Sequence, residues 1–447
     1  MPPPTLIPVT ATELLVVLAA NGRYHRRQPN GRRALLQDRD FSGLDLSGKD
    51  FSGADLTGSV FAGVQAVGVQ FVGTTAAGCD FAEADLSRAD FTRADLRGSS
   101  LRGAVLSDAV FLQADLRPGY LVNRARGGVF ERRQVGSTSA GAVDGGVLAT
   151  DLTGARLAGA NLRRAQLGGV TAAETDFTDA LLTRTDLRGA QLRNARFVGS
   201  ILDTVDVGAA DLTGADLSRA VLLDMDTAAA RTDGVRLDGA LRAPGFGRPA
   251  PLALESALAQ HRTWLDSLGN SGRRLALPGT DLRGTRLLRG AVASMADLTG
   301  AVLFGLDLAG LRMQAVQADR ADLRMTDLTD ADLRGGRLSR AMFNRANGYR
   351  VDFSTLPLEA GGSVSTTLAG AEFRYGDFRD ASFRGADLSG ADFRHADLTG
   401  ADFTDAVIDG ADLSAAIGFT PPSRALWARS ARDLRRRPTM PSGCAAT

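Results

Sequence analysis

Cysteine and histidine are nearly absent. The 447 residues hold two cysteines, Cys79 and Cys444, and three histidines, His25, His261 and His395. The cysteines lie far apart, so they build neither a disulfide framework nor a metal cluster by themselves, and a reducing cytoplasm is the expected compartment. An excess of charge is also lacking. Fifty-two basic and 51 acidic residues leave a formal net charge of +1, which argues against a strongly basic nucleic-acid binder and against a strongly acidic chain. Long apolar runs are missing too. No stretch reaches the ~18 residues of a membrane span. The run from Leu14 to Ala20 is the one candidate signal core, but no basic residue precedes it and Glu13 sits at its edge. A cleaved signal is therefore not expected. The chain has no phosphate loop, nucleophile elbow or dinucleotide fingerprint. An enzyme is thus the least expected class, and no catalytic residue, metal or cofactor is assigned.

What the chain has in quantity is glycine, 52 residues, and a period. From Leu36 to Leu121 every fifth residue is Leu, Phe or Ala, and 16 of the 18 positions are Leu or Phe. Two residues earlier stands a small side chain in most units, as at Ala54, Ala84, Ala89, Ala94 and Ala104, and the residue between is often Asp. Residues five apart diverge by ~140° in a helix, and in a strand they point to opposite faces. The spacing instead fits a very short strand followed by a corner. The small residue and the Leu or Phe point inward, the Asp points outward, and the next two residues turn. Glycine at the turn accepts a positive φ.

This pattern resembles the pentapeptide-repeat family, whose consensus is A(D/N)LXX. The resemblance implies an all-β solenoid, a right-handed quadrilateral β-helix with four units per coil. The central Leu or Phe and the small residue before it would form the core: Leu86, Phe91, Leu96, Leu187, Leu192, Leu212, Leu217, Leu388, Phe393, Leu398 and Phe403.

The period breaks and returns. Residues 36–121 form a first run, 122–151 an irregular insertion, and 152–242 a second run that weakens at Thr227 and Thr232. Residues 277–353 form a third run, with inward positions at Leu277, Leu282 and Leu287 and a slip of one residue near Leu288. A loop at 354–367 keeps register and leads into a fourth run at 368–416.

Two of the interruptions match each other. Residues 1–35 and 243–276 both carry an apolar stretch followed by Gly-Arg-Arg, and Gly31 aligns with Gly272 without a gap from there onward. Upstream, Leu18 meets Leu258 and Tyr24 meets Trp264. Leu254, Leu258, Trp264, Leu265 and Leu268 fit one helix face. Each segment reads as a helix and basic loop that open a β-helix. A bare first coil exposes unpaired backbone and an apolar disk, which a helix can cover. Leu18, Tyr24, Leu258 and Trp264 are the expected cap anchors. Leu426 and Trp427 serve the same role in a C-terminal cap helix within 417–447, ahead of a disordered tail. Two capped starts favour two β-helical halves over one continuous tower with a side helix.

His25 and His261 fall in the cap regions and His395 at a corner, so capping or surface roles are expected. Cys79 takes a small inward position and reads as packed core. The recurrent Asp suggests calcium at first sight, but it sits mid-strand between Ala and Leu and not in convergent oxygen clusters. The first run is mildly acidic, with 12 acidic and 7 basic residues over 36–121, and the ends are basic. The expected function is a non-enzymatic scaffold presenting a rigid rod to protein partners. Membrane and nucleic acid are not expected partners, and a homodimer through a solenoid end is compatible with this reading. Some family members imitate duplex DNA and regulate type II topoisomerases, which is the alternative. The balanced charge and outward arginines such as Arg156, Arg163, Arg164, Arg184 and Arg188 depart from that pattern.

Overall fold

A computed structural model describes residues 6–119, 121–124, 130–133, 142–143, 147–242, 251–359 and 361–419. The chain divides into two compact units, Met1–Ala243 and Pro244–Thr447.

In the first unit β1 (Ile7–Pro8) leads into α1 (Ala11–His25). Thr10 caps this helix by accepting the Glu13 N–H at 3.2 Å. β1 pairs in parallel with β2 (Arg39–Asp40), so the N-terminal segment extends one wall of the first coil. From there the chain repeats one pairing. Leu35 bridges Asp55, Asp55 bridges Thr75, and Thr75 bridges Asp95, always in parallel and always twenty residues apart. Twenty residues are four five-residue units, so each coil is a square of four walls.

The unit around Phe91 shows why five residues suffice. Asp90 N–H donates to the Val69 carbonyl of the coil before at 2.9 Å, and Phe91 N–H donates to the Val110 carbonyl of the coil after at 2.7 Å. Arg93 N–H reaches Leu112 at 2.9 Å, and Ala94 N–H closes the turn onto Phe91 at 2.9 Å. The remaining amide, Thr92 N–H, is accepted by the Asp90 carboxylate at 2.8 Å. Every donor of the unit is thus satisfied, as buried backbone requires.

Phe91 is fully buried and stacks between Phe71 and Phe111, with ring centroids 5.0 Å away on either side. Phe41, Phe61 and Phe81 form a second column, and the two columns meet edge-to-face across the interior. The second unit repeats this packing with Phe343, Phe373 and Phe393 facing Phe353, Phe383 and Phe403. Leu86, Leu96, Leu187, Leu192, Leu212, Leu217, Leu388 and Leu398 are buried at the same central position.

The wall bridges run on from Ser100 to Asp151, so a segment leaves the coil between them. It contains two antiparallel pairs, β3 (Leu121–Arg124) with β4 (Phe130–Arg133) and β5 (Ala142–Val143) with β6 (Val147–Leu148). Leu121 therefore opens this excursion and does not close the first run, which ends at Leu116. The reason is that Gly119 already pairs antiparallel with Leu148, taking the chain off the square. The unit ends on β7 (Ile201–Asp203), β8 (Val221–Leu223) and β9 (Leu241–Arg242).

The second unit opens with α2 (Pro251–Asp266). Its first coil holds 21 residues, since Ala276 bridges Asp297. The extra residue makes Leu288 the buried side chain and leaves Leu287 37% exposed, which corrects the sequence register at this point. Leu268 is 91% exposed and lies beyond the helix at φ 52°, in a turn that Gly269 N–H closes onto Trp264 at 2.8 Å. It is not part of the helix face. A later coil spans thirty residues, from Arg337 to Thr367, and its surplus forms an exposed hairpin of β10 (Leu356–Pro357) and β11 (Ser363–Val364).

Truncating Phe91 to Ala is expected to cost about 3–5 kcal/mol by leaving a cavity in a closed stack. Phe91→Asp should prevent folding of the first unit, because an unpaired charge would lie in the core. Arg93→Gly should change stability by less than about 1 kcal/mol, as the site is exposed and already at positive φ. Urea unfolding followed by circular dichroism measures all three, and equal tolerance of Phe91→Asp and Arg93→Gly would refute the register.

Candidate functional site

The outward aspartates have a structural occupation. Each accepts the amide N–H two residues on, as Asp45 does from Ser47 at 2.9 Å, Asp90 from Thr92 at 2.8 Å and Asp402 from Thr404 at 2.8 Å. Where an arginine follows, the carboxylate also takes two guanidinium bonds: Arg188 holds Asp186 at 2.9 and 2.7 Å, and Arg379 holds Asp377 at 2.8 and 2.7 Å. Those bonds hold the Asp186 and Asp377 carboxyls below the usual carboxylate range. Thr213 and then Arg193 bring Asp211 down to about 2. Such arginines also reach the next coil, as Arg188 does to Asp206 at 3.5 Å. Among the described residues no His, Cys, Asp or Glu group is arranged to hold a metal ion. The periodic carboxylates are corner pieces.

Cys79 is buried, and its Sγ donates to the Leu56 carbonyl at 3.0 Å. Ser59, one coil earlier, donates to Leu36 at 2.7 Å in the same way. The thiol stands in for a hydroxyl, and burial pushes its pKa up, which removes nucleophilic character.

The two helices attach to their coils through polar contacts that hydrophobic pattern reading missed. Asn21 is buried on α1; its Oδ1 accepts the Ala34 N–H at 2.9 Å and its Nδ2 donates to the Ser52 carbonyl at 2.9 Å. His261 is buried on α2, and its Nδ1 accepts the Leu275 N–H at 3.0 Å. The positions correspond. Leu14 and Leu254 are the buried apolar residues about two turns upstream. Arg32 N–H bonds Ala20 and Arg273 N–H bonds Gln260, each at 3.1 Å. Arg33 bonds the Gly53 carbonyl at 2.7 Å and Arg274 the Met295 carbonyl at 2.5 Å, both at the fourth corner of the first coil. Gly31 and Gly272 run so close to their helices that an added Cβ would collide with backbone of Tyr24 in one case and of Gln260 and Trp264 in the other. The alignment that pairs Leu18 with Leu258 also pairs Asn21 with His261. The difference in residue type hid it.

Leu18 and Leu258 are partly buried against the two cores. Trp264 is half-buried and stacks on His261 at 5.8 Å. Tyr24 is 48% exposed and packs edge-on against His25, 5.4 Å between ring centroids, while His25 itself meets the Ser52 carbonyl at 2.5 Å; Tyr24 is not a buried anchor. Leu426 and Trp427 lie outside the described residues.

Two further features sit on the outside of the second unit. Tyr375 is sandwiched between Arg345, 4.7 Å from its ring centroid, and His395, 4.8 Å away. At the neighbouring corner Arg350 and Arg379 lie over Tyr349 at 5.2 and 5.8 Å. In the first unit, Thr227 and Thr232 take central positions normally held by Leu or Phe. They line an open pocket of about 600 Å³ together with Leu212, Leu217, Met225 and Val235 among others.

Among solved structures, the fold is similar to Rfr23, a pentapeptide-repeat protein from the cyanobacterium Cyanothece 51142, at 21% identity over 33% of this chain and 86% of that one, with a TM-score of 0.19. QnrB1, a plasmid-mediated fluoroquinolone resistance protein, is 19% identical over 54% of this chain and 100% of the other, with a TM-score of 0.21. HetL, a pentapeptide-repeat protein involved in heterocyst differentiation regulation from Nostoc sp. strain PCC 7120, is 19% identical over 92% and 98%, with a TM-score of 0.13. No curated protein matches the chain. The family model of pentapeptide repeats matches residues 34–117, 149–208, 296–354 and 365–414, more than half of the sequence. The chain belongs to the pentapeptide-repeat family, and its stacked square coils are a right-handed β-helix.

Proposed function

We propose that the chain is a non-enzymatic scaffold made of two β-helical halves, 1–242 and 243–447, each opened by a capping helix, and that it offers flat walls and corners to protein partners in the cytoplasm. The boundaries that go with it are caps at 1–35 and 243–276, runs at 36–116, 152–242, 277–353 and 368–416, and interruptions between them. The observation that carries the reading is the state of the exterior carboxylates. They are spent on corner amides and on arginines, which leaves the walls rigid and mixed in charge. Among the described residues no helix is long and apolar enough to cross a membrane. A DNA-imitating regulator needs a continuous negative face, and the guanidinium clamps along these walls work against one.

Two measurements test this. Purified full chain at micromolar concentration should leave type II topoisomerase supercoiling unchanged. Affinity capture from the native host at two salt concentrations should return protein and not nucleic acid. Topoisomerase inhibition or protection would replace the scaffold by the DNA-imitating reading.

The capping role has its own test. Asn21→Leu keeps the shape of the contact but orphans the Ala34 N–H, at about 1–3 kcal/mol, while the Ser52 carbonyl keeps its contact with His25 Nε2. Hydrogen exchange over residues 11–36 should accelerate while the later coils stay protected. An unchanged exchange profile would remove α1 as a cap.

A further inference from the structure

The two caps perform one contact with two different side chains, and only one of the two can titrate. Asn21 meets its coil with an amide that has the same charge at every physiological pH. His261 meets the equivalent backbone with an imidazole. Its Nδ1 accepts from Leu275, so the neutral ring carries its proton on Nε2. That nitrogen lies beside the Ser294 backbone but makes no well-formed hydrogen bond, whereas Asn21 Nδ2 bonds the corresponding Ser52 carbonyl at 2.9 Å. We propose that the second cap is an acid-sensitive latch: protonation of His261 detaches α2 from the first coil of the second unit, while the Asn21 cap of the first unit stays closed.

The chemistry follows from the contact. A proton added to Nδ1 faces the Leu275 N–H, so an acceptor becomes a donor against a donor and the bond is lost. The ring is wholly enclosed, with Trp264 stacked against it, and the new charge is not hydrated there. The charged group acting on the ring is Arg274, which is held to the Met295 carbonyl and repels an imidazolium. Asp297, on the next wall, is engaged by Thr299 and feels Arg274. Arg262 and Asp266 of α2 and Arg273 of the following loop are exposed to solvent. Burial pushes the His261 pKa down from its ordinary value; the Ser294 backbone opposes that shift and Arg274 adds to it. A histidine lowered in the folded state contributes its stability fully above the ordinary range near 6.5, and loses it as the pH falls below that range. Opening bares the first-coil backbone that α2 covers.

Hydrogen exchange of the full chain at pH 7.5 and 5.5, corrected for intrinsic rates, reads the latch. The opening equilibrium over residues 251–276 should rise about tenfold on acidification, the change carried by one pH unit of a single titrating group. Residues 11–36 should not open: His25 of the first cap meets the Ser52 carbonyl through Nε2, and a ring nitrogen that faces an acceptor keeps that contact as a donor. His261→Asn installs the side chain that the first cap already uses, and should abolish the response; Asn21→His should transfer it to α1. Equal acid response in wild type and His261→Asn would overturn the proposal, as would a flat wild-type profile. Should His261→Asn stand open at both pH values, the wild-type titration decides: a midpoint below 6.5 confined to α2 supports the latch, and a global one overturns it. The readout does not depend on any partner, so failure here leaves the scaffold reading to its own test.

Discussion

The hydrogen bond between one coil and the next, repeated every twenty residues, is the constraint on which everything else rests. It fixes the unit at five residues, because only then does each wall find its partner directly above. It also forces the corner. A four-residue turn that returns the chain to the next wall puts its third residue at positive φ, and most such positions in the structure lie near 55–75°. Glycine fills many of them, yet Arg88, Arg93, Arg164, Asp380 and His395 adopt the same angle. A left-handed residue costs on the order of 1–2 kcal/mol. The amide bond this corner makes to the next coil, such as Arg93 to Leu112, and the aspartate bond to the preceding amide offset that cost.

A ladder this regular cannot stretch, so extra residues must leave it and return to the same place. Both large excursions are closed by one device. Thr150, fully buried, accepts the Gly98 N–H at 2.9 Å and bonds the Arg117 carbonyl at 3.1 Å. Thr366, also fully buried, accepts the Gly335 N–H at 2.8 Å and bonds the Ser354 carbonyl at 2.9 Å. In each case the hydroxyl bridges a donor and an acceptor whose direct backbone bond has lengthened to 3.3 Å where the chain departs. A single extra residue needs less: near Leu288 the corner widens and the neighbouring leucine takes the inward place. The central Thr227 and Thr232 lie in the last coil of the first unit's run, where Asp211 still bridges Arg231 but Asp206 bridges no later wall among the described residues, and they line an open pocket.

The period was legible because the ladder and the core both repeat with it. Phe91, Leu187, Phe393 and their kin had to be inward once the small residue, the outward residue and the turn were set. What escaped was non-periodic or polar. Leu121 keeps the spacing by chance, and only the pairing of Gly119 with Leu148 shows that it has left the coil. Leu287 and Leu288 are equivalent by composition, and packing alone chooses between them. Tyr24 and Leu268 look like anchors in an apolar count, but Tyr24 is left exposed on α1 and Leu268 falls in the turn beyond α2. Asn21 and His261 carry the helix-to-coil contact through hydrogen bonds to backbone. Hydrophobic periodicity is blind to that, and the aligned pair of unlike residues was its sole trace.

The ladder also limits where recognition can lie. The small and central residues are enclosed, and the outward aspartate is claimed by its own corner. The two turn residues and the excursions remain, since the fold asks of them only an allowed φ. Tyr349 and Tyr375 occupy such positions and are stacked with arginines and His395 on adjoining corners. The β10–β11 hairpin leaves from the same part of the unit. A surface built this way separates its tasks by position within each five-residue unit. Three residues are held by stacking and pairing, and two are constrained by the turn alone, which asks a positive φ of the second. Sequence regularity then has one cause: the ladder and the core specify the residues that make the repeat visible, and the turn residues are those the repeat leaves open.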